Sequence, residues 1–214
     1  MTDILWTRPQ TAPVATLILA HGAGAPMDSP FMNKFAQFAS EEGIAVARFE
    51  FPYMAERRAT GKKRPPPRAD KLIDAYLAAI AAVDEDAQGP LLIGGKSLGG
   101  RVAVMAAGDP ALDAGVSGVV CLGYPFHPPA KPEATRLEPL DELPLPCLIA
   151  QGERDAFGNA QEVDGYGLKD SIEVLIMEDG SHDLAPRGSS PATWDGNLRL
   201  AAKAVREFAQ KLSA

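Results

Sequence analysis

The chain is poor in the residues that most often bring special chemistry: its 214 residues include two cysteines and three histidines. A disulfide framework is therefore not expected, and Cys121 and Cys147 both fall in apolar runs, where a thiol behaves as a small hydrophobe. Free thiols fit a reducing compartment, so a cytoplasmic location is the expectation. No apolar run approaches the roughly 20 residues that would span a bilayer, and no membrane role is expected. The first residues lack a basic stretch leading into an apolar one, so a secretory signal is not expected either. Positive charge is in deficit: 21 Lys and Arg against 28 Asp and Glu leave a net charge of −7, which argues against nucleic acid as a partner. No metal-ligand spacing and no cofactor fingerprint stands in the sequence, so neither a metal nor a cofactor is expected. With 46% hydrophobic residues, the length suits one sizeable domain over residues 1–214.

Glycine, by contrast, is concentrated at one place. Residues 90–101 read Pro-Leu-Leu-Ile-Gly-Gly-Lys-Ser-Leu-Gly-Gly-Arg. Leu91 to Ile93 form a short apolar run bounded by proline and glycine, as a buried strand would. Beyond Leu98, Val102, Met105 and Ala106 recur at helical spacing. Between the two lies Gly95-Lys96-Ser97-Leu98-Gly99, a G-x-S-x-G pattern. In that position it reads as a nucleophile elbow, a strained turn that lifts Ser97 Oγ clear of the sheet while glycines let strand and helix pass closely. The helix N-terminus would favour a developing anion. Two other readings compete. The serine could merely cap the helix, or Gly95-Lys96-Ser97 could end a phosphate loop. The phosphate loop needs glycine where Pro90 stands and a flexible loop where the apolar run lies, and fails on both.

Taken in order, residues 14–20 predict a strand ending in the small-residue turn His21-Gly22-Ala23-Gly24-Ala25-Pro26. Phe31, Phe35, Phe38 and Ala39 then mark a helix stopped by Gly43, and residues 44–51 a second strand. Residues 53–68 are basic and proline-rich, and read as a loop. Because this segment leaves a strand's C-terminal end, where open α/β sheets bind ligands, Arg57, Arg58 or Arg64 is a candidate for holding an anionic group. An alanine-rich helix follows over 69–87. Strands at 116–122, 147–151 and 172–177, one short helix before Pro146 and a closing amphipathic helix over 194–212 complete the series. Alternating strands and helices imply a three-layer α/β fold, a mainly parallel sheet of about six or seven strands covered on both faces. Right-handed crossovers place all strand C-termini on one edge. His21, Ser97, His127, Asp155 and His182 lie just past such ends.

A serine needs a base, and the base an acid to hold its tautomer. Of three histidines, His182 sits in a loop after the last strand. His21 precedes the glycine turn, where its backbone matters more, and His127 lies among prolines and could line a pocket. Asp155 is the favoured acid, with Glu153 and Asp183 as alternatives. The order Ser97, Asp155, His182 matches the serine–acid–histidine order of one hydrolase arrangement. An oxyanion would be held by the N–H of Leu98 and one from Ala23 or its neighbour.

His21-Gly22-Ala23-Gly24, Phe51-Pro52-Tyr53-Met54, residues 94–101, Gly123-Tyr124-Pro125-Phe126-His127, Gln151-Gly152-Glu153-Arg154-Asp155 and Gly180-Ser181-His182 together resemble the α/β-hydrolase superfamily. Within it, the chain is most similar to dienelactone-hydrolase-like proteins and a related group of small members. The resemblance implies a serine hydrolase with Ser97, His182 and Asp155 as its triad, and it supplies no substrate. An ester or thioester of a small molecule is expected because its leaving group is better than an amide's, with Gly22, Gly24, Arg57, Arg58, Tyr124, Phe126 and His127 as candidate binding residues, and the basic segment 53–68 predicts that an anionic one is preferred. The superfamily also holds members that serve in larger assemblies, so a catalytically silent binding module is the alternative. The connection after residue 122, where many relatives insert a cap, is short, which implies an open or shallow site. Lys96 puts a cation beside the nucleophile, where many esterases carry other residues.

Overall fold

The computed structural model describes residues 3–112 and 115–213. Seven strands form one sheet: β1 (Leu5–Thr7), β2 (Ala15–Ala20), β3 (Ile44–Phe49), β4 (Leu91–Lys96), β5 (Val116–Leu122), β6 (Cys147–Gly152) and β7 (Ile172–Met177). Their spatial order is β1-β3-β2-β4-β5-β6-β7, with β1 antiparallel to β3 and every other pairing parallel. The short edge strand β1 follows none of the patterns expected from sequence. It is three half-buried residues long, too brief to show a period.

Strand β2 shows how the central strands hold both layers. All six of its residues are buried, and successive side chains point to opposite faces. Leu17 and Leu19 pack with Phe35 of α1 (Pro30–Glu41) and Val205 and Phe208 of α7 (Trp194–Leu212). Ile18 and Ala20 pack on the other side, with Tyr76 and Ile80 of α3 (Ile73–Val83) and Val102 of α4 (Leu98–Ala107). Tyr76, fully buried, keeps its hydroxyl satisfied between β2 and β4: Gly94 N donates to it at 2.8 Å, and the carbonyl of Ile18 lies 3.0 Å away. Burial holds this phenol far above its ordinary pKa, so it stays neutral.

Three elements differ from expectation. The helix over 69–87 is α3 flanked by 3₁₀ turns at Ala69–Leu72 and Asp84–Asp86. Residues 53–68 are not all loop, because Pro52–Thr60 forms a helix, α2. Pro52 occupies its first turn and Gly61 ends it with φ of 71°, the usual start and stop signals. A short helix that the sequence did not predict, α6 (Ala160–Asp164), lies beyond β6, whereas α5 (Glu138–Glu142) is the short helix expected before Pro146. Residues 123–137 carry no helix or strand, and nothing built on this connection forms a helical cap. No helix among the described residues is long and apolar enough to cross a membrane.

Candidate active site

The turn from β4 into α4 has the geometry its glycines foretell. Ser97 has φ of 52° and ψ of −112°, outside the regions an L-residue prefers, at a cost of roughly 1–3 kcal/mol that the surrounding fold must offset. A Cβ on Gly95 would lie 2.4 Å from Gly99 C, and one on Gly99 would lie 2.5 Å from Ala20 O. Neither position tolerates a side chain, because β2, β4 and α4 meet there backbone to backbone.

Ser97 Oγ lies 2.8 Å from His182 Nε2, and His182 Nδ1 lies 2.8 Å from Asp155 Oδ2. The carboxylate is 1% exposed and well satisfied: Phe157 N donates to Oδ1 at 2.8 Å, and Gln151 Nε2 to Oδ2 at 3.0 Å. An acceptor-only carboxylate requires the proton on His182 Nδ1 and leaves Nε2 to accept from the serine hydroxyl. Phe157 lies over the imidazole with ring centroids 4.2 Å apart and planes tilted by 30°. The two loops can meet only because Gly152 has no side chain, since a Cβ there would lie 2.2 Å from Ser181 O. The other two candidate acids are engaged elsewhere. Glu153 accepts from Asp179 N at 2.6 Å, and Asp183 faces Lys96.

The turn after β2 is held from behind. His21 is fully buried, and Phe51 N donates to its Nε2 at 3.1 Å, so Nδ1 carries the proton and donates to Gly22 O at 2.7 Å. Burial lowers the His21 pKa, which keeps the ring neutral. Tyr53 Oη donates to Ala23 O at 3.1 Å, and Arg57 Nη1 to Gly24 O at 2.9 Å. Three successive carbonyls are thereby anchored. In a trans peptide the N–H points opposite to the C=O, so anchoring Gly22 O turns the Ala23 N–H away from His21. Among the described residues, neither Ala23 N nor Leu98 N is paired with a protein acceptor. Tyr53 is desolvated, and its pKa is pushed up to about 12, so it remains a donor at any ordinary pH.

Ser97 and His182 open on a cleft of about 480 Å³, within the usual range for small-molecule sites. Gly22, Ala23 and Gly24 form one wall, and Phe31, Met32, Phe157 and Trp194 supply its apolar surface. Among the described residues, Lys96 and Asp183 are its charged lining residues.

Several residues expected around the substrate lie elsewhere. Arg58 grips Glu50 (2.6 Å) and Asp28 (2.8 Å), and Arg64 faces Glu56 at 3.2 Å. With Arg57 on a backbone carbonyl, none of these guanidiniums lines the cleft; acidic neighbours from α2 and adjoining loops satisfy them first. Tyr124 and Phe126 are fully buried and pack edge-on at 5.0 Å, with Tyr124 Oη donating to Arg136 O. His127 is buried too, bonded through Nδ1 to Pro128 O and facing Glu162 at 3.4 Å. None of the three lines the cleft, because the chain after β5 turns under the Asp155 loop instead of over Ser97.

Sequence reasoning did not single out Gln151, Phe157, Met32 or Trp194 for the site. From sequence, Phe31 marks only a helix's apolar spacing and Trp194 only the start of a helix. Gln151 and Phe157 flank Asp155, so their proximity in the chain is the one signal that could have found them.

Known proteins share this arrangement of strands. A dienelactone hydrolase from Anabaena variabilis superposes with a TM-score of 0.69 at 20% identity, over 98% of this chain and 91% of that one. A serine hydrolase without lid from Xanthomonas campestris gives 0.66 at 21% identity, over 99% and 87%. An alpha-beta serine hydrolase homologue from Coxiella burnetii gives 0.65 at 19%, over 100% and 92%. At such identities these likenesses speak for the fold. The sequence pattern of the alpha/beta hydrolase domain matches residues 13–210, nearly the whole chain, and with the sheet order and the β4–α4 elbow it establishes that this protein belongs to the alpha/beta hydrolase family.

Proposed function

We propose that the protein is a serine acyl hydrolase that cleaves an ester or thioester of a small molecule. The observation that carries this reading is the unbroken line from Ser97 through His182 to Asp155 at the mouth of a cleft. Ser97 Oγ attacks the substrate carbonyl while its proton passes to His182 Nε2. The imidazolium so formed is stabilised by Asp155, which the donors Gln151 Nε2 and Phe157 N hold in place. Leu98 N–H and Ala23 N–H receive the oxyanion, each such donor contributing about 3–4 kcal/mol to the transition state. Collapse expels the alcohol or thiol, which takes the proton from His182. Water then enters, gives a proton to His182, and releases the acid as Ser97 recovers its hydrogen. Esters and thioesters are favoured over amides because their leaving groups are better. The lack of a cap over Ser97 favours short or accessible acyl groups.

The test is intact-mass labelling with a fluorophosphonate. A single adduct on wild type, absent from Ser97→Ala and His182→Ala, is the expected result. A folded wild-type protein that takes no adduct would rule out an activated serine and turn attention to the binding-module alternative.

A further inference from the structure

We propose that the cleft receives a substrate bearing a carboxylate, and that the ammonium of Lys96 is the group that binds it. The inference builds on the hydrolase reading only in placing the scissile carbonyl at Ser97.

Lys96 ends β4 immediately before Ser97, and its side chain is 8% exposed yet lines the cleft. An ammonium has three donors to satisfy, and burying it unpaired is costly. Here it has one charged contact, Asp183 Oδ1 at 3.3 Å, longer than the roughly 2.7–2.9 Å of a good charge-assisted bond. Asp183 is itself 67% exposed, so it can return to water when a ligand displaces it. The ammonium is also close to the reacting groups. A Cβ on Gly123 would lie 3.4 Å from both Lys96 Nζ and His182 Nδ1.

Among the described residues the cleft supplies no other lysine or arginine, and Arg57, Arg58 and Arg64 of the nearby basic segment have partners of their own. Beyond Lys96 the lining is mostly apolar: Phe31, with its ring centroid 5.4 Å from Nζ, Met32 and Trp194. A carboxylate attached to a short hydrocarbon fits that division. Burial lowers the Lys96 pKa and Asp183 and Asp155 raise it, so an arriving carboxylate would act with the acids to hold the charge.

Binding and turnover test the proposal separately. Calorimetric titration of Ser97→Ala with monomethyl succinate and dimethyl succinate reads the charge without hydrolysis. The monoanion should bind about tenfold more tightly or better, and the difference should vanish in Ser97→Ala/Lys96→Met. Asp183→Asn in the same background changes only an exposed side chain and removes the internal competitor, so the monoanion should bind more tightly still. Equal binding of the two esters, a preference that survives Lys96→Met, or no gain in Asp183→Asn would overturn the proposal. Kinetics then compare umbelliferyl hemisuccinate with umbelliferyl butyrate, and acetyl 3-hydroxybenzoate with acetyl 3-hydroxybenzamide. A Lys96-dependent preference in the first pair places the carboxylate on the acyl side, and one in the second pair places it on the leaving group. Turnover without preference in either pair counts against the proposal while leaving the hydrolase reading intact. Lys96-dependent carboxylate binding with no turnover and no Ser97 adduct removes the hydrolase reading and keeps the anion site.

Discussion

Two basic regions of this acidic protein face opposite fates. Residues 57–68 contain most of the local positive charge, and the fold engages the arginines: Arg57 holds a carbonyl of the turn after β2, Arg58 joins Asp28 and Glu50, Arg64 faces Glu56 and Arg68 faces Asp70. Lys96 stands alone in sequence between a glycine and a serine, and it reaches the cleft with a single long ionic contact. Charge density along a chain is thus a poor guide to charge available to a ligand. Exposed arginines can reach several carboxylates around them, whereas a buried ammonium is left with whatever its cavity offers.

The contrast can be pressed by substitution, starting where the effect should be greatest. Asp155→Asn leaves the site's shape intact but removes the carboxylate that fixes the His182 tautomer, and kcat should fall by about 10⁴. A rate within tenfold of wild type would mean that the hydrogen-bonded line is not the working machinery. Gly99→Ala comes next, because the new methyl would press on Ala20 O and His21 O. It should destabilise the fold by about 3 kcal/mol or more, read as a lowered urea midpoint.

Arg57 separates the regions most directly. Arg57→Ala frees Gly24 O and loosens the wall that presents the Ala23 N–H, so kcat should drop by roughly threefold to thirtyfold with KM little changed. Were KM to rise instead, and only for anionic esters, Arg57 would belong with Lys96 as a ligand-binding cation. At the weak end for catalysis, Arg58→Ala should leave the ratio of anionic to neutral ester turnover unchanged, and its effect should fall on stability, because it strands the buried side chain of Glu50. A collapse of that ratio would reverse the comparison.

His21 adds a pH dependence on the fold side. Its folded pKa is depressed by burial, so between that value and the unfolded value of about 6.5 the unfolded chain binds more protons. Stability contributed by neutral His21 is therefore complete above about pH 6.5 and declines as the pH falls below it. Urea unfolding at pH 7.5 and 5.5 should show this slope, and His21→Gln should flatten it. An unchanged slope would mean that other groups dominate the acid limb.

Much of the architecture was legible because the apolar runs are long and cleanly bounded. Val116–Leu122, Ile172–Met177 and Trp194–Leu212 lie where periodicity puts them. Helix α2 was equally available to a reader, with Pro52 to start it and Gly61 to stop it, but its charge and the prolines beyond it suggest a loop. For the site, Ser97, Asp155 and His182 were accessible through chain order alone, since each follows a strand that had to end on the same edge. Tyr124, Phe126 and His127 follow a strand end by the same rule, yet they point into the packing beneath the Asp155 loop.

By itself the sequence determined the strand and helix series apart from β1, α2 and α6, the glycines at Gly95 and Gly99, and hence which residues emerge at one sheet edge, because these depend on local period and on backbone sterics. Only the tertiary structure decided which of those residues face the cleft and which charges stay unpaired. Those outcomes depend on partners remote in the chain: Glu50 for Arg58, Gly24 for Arg57 and Asp183 for Lys96. No local pattern encodes such pairings, since desolvation and charge balance are set only when the elements pack.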